Sequence, residues 1–130
     1  MKSILLCAAI AFAVSPAVAQ EAPKESKGVK EEKLTTIDLG KQNLNDYTQR
    51  QMRMREITIE PGGIVAVHSH KDRPAMDYVL AGSVVDHREG QQPHAYDAGQ
   101  SITEATDVVH WVENKSTQPA KLVTVDLVKQ

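Results

Sequence analysis

The chain is poor in residues that cross-link or stack. Its 130 residues include one cysteine, Cys7, one tryptophan, one phenylalanine and three tyrosines. A lone cysteine closes no internal disulfide, so the fold must rest on packing and hydrogen bonds. There is also no excess of one charge. Fifteen Lys and Arg against seventeen Asp and Glu leave a formal charge of -2, with no basic stripe, and this removes the electrostatic footprint of a nucleic-acid-binding protein. After the first nineteen residues no apolar run nears the roughly 20 residues that cross a bilayer as a helix. No internal repeat is visible. The remaining composition, 41% hydrophobic and 25% charged, is that of a globular chain, and the length suits one domain.

Residues 1–19 have the character of a secretory signal peptide. Lys2 supplies the positive start, Ile4 to Val14 an apolar run, and Ala17-Val18-Ala19 a small-residue cleavage site before Gln20. The run is short for a transmembrane anchor. Leu6 precedes Cys7 where a lipid-attachment site takes a small residue. The expected mature protein is therefore periplasmic or secreted, free of the membrane, without cysteine, and more negative by the loss of Lys2.

Residues 20–33 are dominated by Lys and Glu and read as a flexible charged tether. From residue 34 to 130 the pattern is one of short β-type runs. Leu34 to Leu39 is rich in Thr and branched residues, and Met52 to Ile59 alternates with one slip of phase. Pro61-Gly62-Gly63 reads as a tight turn, followed by runs at Ile64 to His70, Asp77 to Leu80, Ser83 to Arg88, His94 to Asp97, Val108 to Glu113 and Leu122 to Val128. Many short strands punctuated by turns point to an all-β sandwich or barrel.

Three of the five histidines are placed to act together. His68 and His70 are two apart on a strand, so both face one side, about 6–7 Å apart along the backbone. His110 lies on another strand, and Val108 and Val112 mark its face as interior. A buried imidazole needs a partner, and one shared metal ion would serve all three. The alternative is that each is satisfied separately, by a carbonyl or by solvent. His87 and His94, near turns, read as exposed or rim residues. Lys71 and Arg73 read as solvated charges or as guides for an anionic ligand. Met52, Met54 and Met76 read as core or pocket lining, and Trp111 as packing on the outer strand surface or the partner sheet.

Gly62, five residues, His68-Ser69-His70, and then Gly82 resemble the first motif of the cupin superfamily. Gly99, His110 and Asn114 resemble the second, and Tyr78-Val79-Leu80-Ala81-Gly82 has the look of the family's strand end. The resemblance runs from about Met54 to Val128 and is closest to small single-domain exported cupins of the conserved-barrel type. It implies a double-stranded β-helix, or jelly-roll barrel, around a central pocket. It also implies His68, His70 and His110 as ligands of a mononuclear divalent transition metal such as Fe, Mn, Zn, Ni or Cu. The family's glutamate falls at position 75, where this chain has Ala75, and Ala105-Thr106-Asp107 replaces the P-x-G of the second motif. Asp77, of the same strand parity as Ala75, is a candidate additional ligand. The expected function is oxygenase- or isomerase-like action on a small organic molecule, with the catalytic residues unassigned. The competing expectation, motivated by Ala75, is a non-catalytic small-molecule binding or sensing cupin without metal. A homodimer formed by sheet extension, with Leu122 to Val128 as a candidate edge, is a third expectation.

Overall fold

Alternation of inward and outward side chains organises residues 20–130, the part of the chain that the computed structural model describes. The expected signal peptide, with its expected cleavage site and Cys7, falls on residues outside the described ones. Eight strands follow one another: β1 (Lys27–Asp38), β2 (Arg50–Ser69), β3 (Ala75–Ala81), β4 (Ser83–Arg88), β5 (His94–Asp97), β6 (Ser101–Glu104), β7 (Val109–Glu113) and β8 (Ala120–Lys129). Helical structure among the described residues is limited to two short 3-10 turns, Leu39–Lys41 and Asn45–Tyr47. All pairings are antiparallel, in the order β5-β4-β7-β2-β8-β3-β6, with β1 on the other side of β2. The expected all-β jelly roll is the observed architecture, a nearly closed barrel.

Strand β2 is the member that closes it. Its first half, Arg50 to Ile59, pairs with β8, and its second half, Ile64 to Ser69, pairs with β7. Pro61-Gly62-Gly63 was expected to end a strand. It instead bends one 20-residue strand from one sheet into the other. Gly62 takes φ 72°, which favours glycine. Fully buried Asn114 clamps this corner. Its carbonyl accepts from the Gly62 N–H at 2.8 Å, and its amide donates to the carbonyls of Ile59 at 2.9 Å and Gln118 at 2.7 Å.

Three expectations are corrected here. Residues 27–33, assigned to a flexible tether, form the first part of β1 and pair with β2. Backbone hydrogen bonds hold them, with Val29 packed on the core and Glu31 bonded to Arg55 at 2.6 Å. Strand β8 is not an edge, since it pairs with β2 on one side and β3 on the other. The methionines do not line the core: Met52, Met54 and Met76 are 42%, 37% and 62% exposed.

Across β2, β8, β3 and β6, one inward row runs Arg53, Asp126, Ala75, Glu104, and the next runs Arg55, Thr124, Asp77, Ile102. These polar side chains take the inward parity, so Met52, Met54, Met76 and Tyr78 must face outward. In the next inward row the interior turns apolar. Ile57, Leu122 and Val79 lead into a buried cluster with Ile59, Val84 and Val112. Each such side chain contributes about 1.5–3 kcal/mol when fully buried. The barrel thus has a hydrophobic plug at one end and a polar chamber at the other.

Candidate metal centre

The chamber is a cavity of about 230 Å³, and its walls include His68, His70, His110, Asp77, Glu104 and Arg55. His68 and His110 are cross-strand partners on β2 and β7. His70 follows the end of β2, with its N–H bonded to the Val108 carbonyl at 2.9 Å. The structure therefore brings together the three histidines singled out in the sequence. Their Nε2 atoms form a triangle with sides of 3.0, 3.0 and 3.1 Å.

The other ring nitrogens fix the protonation of this triangle. His68 Nδ1 meets the Ala66 carbonyl at 2.8 Å, His70 Nδ1 the Arg73 carbonyl at 3.0 Å, and His110 Nδ1 an Asp86 oxygen at 2.7 Å. Carbonyls and carboxylates only accept, so each Nδ1 carries the hydrogen and donates it. Burial of His68 and His70 lowers their pKa values, that of His70 to about 4, which keeps both rings neutral at pH 7. With the ring hydrogens on Nδ1, the neutral form of each ring points its Nε2 lone pair at the other two across 3.0–3.1 Å. Lone pairs at that distance repel, and a cation among them removes the conflict.

The spacing also suits a cation. Bonds of about 2.0–2.1 Å place ligand nitrogens about 2.9 Å apart at right angles and about 3.3 Å apart in a tetrahedron. The observed separations fall within that interval. The three residues can hold a metal ion, since their ligand atoms lie within 4.8 Å of one another.

Asp86, inward on β4, supports His110. Burial opposes its ionisation, but hydrogen bonds from His110 and from Arg88 Nε, at 2.7 Å each, outweigh burial and hold its pKa below the ordinary carboxylate value. A carboxylate behind a ligating imidazole orients the ring and raises its basicity.

Other residues fall as follows. Asp77, the candidate additional ligand, is buried in the cavity wall but outside the three-histidine group. Burial raises its pKa. Arg73 is not a free solvated charge, because it binds Asp126 at 3.3 Å alongside Arg53 and Arg55. Lys71 and His94 are exposed. His87 is not on the rim. Its side chain is 11% exposed, donates from Nε2 to the Glu113 carboxylate at 2.7 Å, and stacks on Trp111 with ring centroids 3.7 Å apart. Trp111 thus packs on the outer face of the β4–β7 sheet, in keeping with its expected place.

Sequence reasoning missed Glu104. It is buried on β6, with Oε2 3.3 Å from His70 Nε2 and Oε1 3.2 Å from His110 Nε2. Burial first, and then the charge of Asp77, push its pKa up to about 9. Alternation about Ile102 was the signal that places Glu104 inward.

Comparison with known proteins agrees with this geometry. A family model described as a cupin domain matches residues 55–126, more than half of the chain. The chain belongs to the cupin family. Its cupin barrel superposes on a protein described as a predicted oxalate decarboxylase from Thermotoga maritima, at 19% identity and TM-score 0.60, covering 85% of this chain and 95% of that one. It superposes on the polyketide cyclase RemF from Streptomyces resistomycificus at 18% identity and TM-score 0.62, covering 80% and 68%. It also superposes on an oxalate oxidase in complex with the substrate analogue glycolate, at 16% identity and TM-score 0.58, covering 78% and 55%. At these identities the likeness is one of fold. No curated protein matches the chain. Within this cupin, Gly62, Gly82, Gly99 and Asn114 hold the turns and corner that bring His68, His70 and His110 together, and Ala75 sits where the family carries its glutamate.

Proposed function

We propose that this protein is an exported cupin that holds one divalent transition metal on His68, His70 and His110 and acts on a small organic molecule in the adjoining cavity. The observation that carries the reading is the triangle of three Nε2 atoms 3.0–3.1 Å apart, each on a ring whose Nδ1 meets a hydrogen-bond acceptor. A bound metal would supply Lewis acidity and open positions at which substrate or dioxygen is oriented, chemistry suited to oxygenation or isomerisation.

The chain's own residues define what would bind. A cavity of about 230 Å³ lies below the roughly 300–1,000 Å³ of pockets for drug-sized ligands, so the ligand is small. Among the described residues, three buried side-chain atoms lack a protein hydrogen-bond partner: Arg55 Nε, Asp77 Oδ1 and Thr124 Oγ1. All three residues line this cavity. Buried polar atoms are rarely left unpaired, and here a polar ligand or water completes them. Arg55 donates, Asp77 accepts, and Thr124 does either, so the ligand carries both donors and acceptors.

Metal analysis of protein purified from the exported fraction tests the reading, with His68→Ala and His110→Ala beside it. The wild type is expected to carry about one equivalent of a transition metal, as a mononuclear site does, and both variants much less. Equal metal content in all three proteins, zero included, contradicts it. A metal-free wild type that still binds a small molecule in the cavity would instead support a binding or sensing cupin. Absence of the protein from the exported fraction would contradict the assignment of residues 1–19.

A further inference from the structure

The carboxylate expected at position 75 is absent, but the place it would occupy is not empty of carboxylate. Ala75 on β3 and Glu104 on β6 are direct cross-strand partners. Side chains so paired leave the sheet on the same face with Cβ atoms about 4.5–5.5 Å apart. A glutamate at either position therefore projects into the same chamber from nearly the same point, and Ala75, being small and buried, leaves room for the Glu104 side chain.

We propose that Glu104 is the fourth ligand of the metal centre, delivered from β6 in place of the carboxylate that Ala75 cannot provide. The assignment rests on the three-histidine reading above and adds a residue that the cupin motifs do not mark. Its carboxyl approaches two of the three histidines. The two carboxyl oxygens lie 3.3 Å from His70 Nε2 and 3.2 Å from His110 Nε2, against 3.0–3.1 Å among the Nε2 atoms themselves. Both separations suit atoms of one coordination sphere; Glu104 lies outside the group whose ligand atoms are all within 4.8 Å of one another, so metal binding would draw its carboxyl inward.

The chemistry of those contacts excludes an ordinary ion pair. His70 and His110 carry their hydrogens on Nδ1, where they bond to the Arg73 carbonyl and to Asp86. The nitrogens that face Glu104 have no hydrogen to give it. Glu104 is only 4% exposed, so solvent does not complete it either. A protonated Glu104 has one hydrogen and can give it to only one of the two nitrogens, so the other contact stays unpaired in a buried chamber, which is costly. A divalent cation placed among the four residues turns each of those contacts into a pair of ligands on one ion.

The test is Co²⁺ binding to the metal-free full chain, followed by visible absorption and by competition with a chelator. It compares wild type with Glu104→Ala, Glu104→Gln and His110→Ala. Loss of an outer-shell partner costs about 10–100-fold in affinity, and loss of a charged ligand should cost at least as much. Glu104→Ala is expected to weaken Co²⁺ binding by about a hundredfold and to shift the d–d bands, while its metal-free melting temperature stays at or above that of wild type. Glu104→Gln, which keeps the volume but not the charge, is expected to fall between the two. Wild-type affinity and an unchanged spectrum in both Glu104 variants, with His110→Ala impaired, would overturn the assignment and leave the three-histidine centre standing. Failure of wild type to bind Co²⁺ would overturn both.

Discussion

Asp86→Asn isolates the support behind one ligand without touching the ligand itself. In the native chain one Asp86 oxygen accepts from His110 Nδ1 and the other from Arg88 Nε, both at 2.7 Å. An amide offers one oxygen and one NH₂, so it cannot accept from both donors in this geometry. If the oxygen stays with His110, the NH₂ faces Arg88. Arg88, with 21% of its side chain exposed and a second bond to the Thr103 carbonyl, can turn away. His110 then loses only the negative charge behind it, and affinity falls about tenfold. If the oxygen stays with Arg88, the NH₂ faces His110 Nδ1, the ring must move its hydrogen to Nε2, and ligation is blocked in that state. The outcome lies between these arrangements, a loss of about 10–100-fold, or about 1.4–2.7 kcal/mol. Competition between the protein and a fluorescent chelator for Zn²⁺ at pH 7.5 measures it, with melting of both metal-free proteins as the control for folding. Wild-type affinity in a folded Asp86→Asn variant would refute the tautomer argument on which the metal centre rests.

Asp126 anchors Arg53, Arg55 and Arg73 with its side chain fully buried. Removing one partner of a buried pair costs about 3–5 kcal/mol, and Arg53 and Arg73 can swing to solvent, so Asp126→Ala should lose about 3 kcal/mol by urea denaturation; a loss under 1 kcal/mol would show the cluster to be idle. Burial opposes ionisation of Asp126, but the Arg53 hydrogen bond and the charges of Arg55, Arg53 and Arg73 outweigh it and lower its pKa. Its contribution is therefore full above the unfolded value near about 3.9 and is lost as pH falls through the lower folded value, so metal-free wild type should weaken below about pH 4 more steeply than Asp126→Asn; equal slopes would contradict this. Gly82 takes φ 70°, and a Cβ there would stand 2.7 Å from the Pro119 carbonyl oxygen and 2.9 Å from Ala120 Cα. Gly82→Ala should cost at least about 2 kcal/mol and lower the melting temperature by about 10 °C, whereas an unchanged Tm would mean that the β3–β4 turn yields freely.

How far the sequence carried these conclusions depended on how much context each residue needed. His68, His70 and His110 were legible because strand parity and the spacing of turn glycines both pointed to one chamber. Glu104 was not, because β6 is four residues long and has a single apolar member, Ile102, to set its phase. Its ligand-like position appears only once Ala75 is seen as its cross-strand partner. Residues 27–33 looked like a tether because their side chains carry charge, but β1 is held by backbone pairing that composition does not register. The methionines were misplaced by the usual rule that apolar residues face inward. That rule reverses where the chamber claims Arg53, Arg55, Asp77 and Asp126 for its walls. Pro61-Gly62-Gly63 was recognised as a change of direction, though not as a corner within one continuous strand.

The most direct test of the metal centre is an anomalous difference map from crystals grown with Zn²⁺ and measured at the zinc edge. One strong peak per chain is expected, about 2.0–2.2 Å from the Nε2 atoms of His68, His70 and His110. A map without a peak inside that triangle, in crystals of otherwise identical fold, would contradict it.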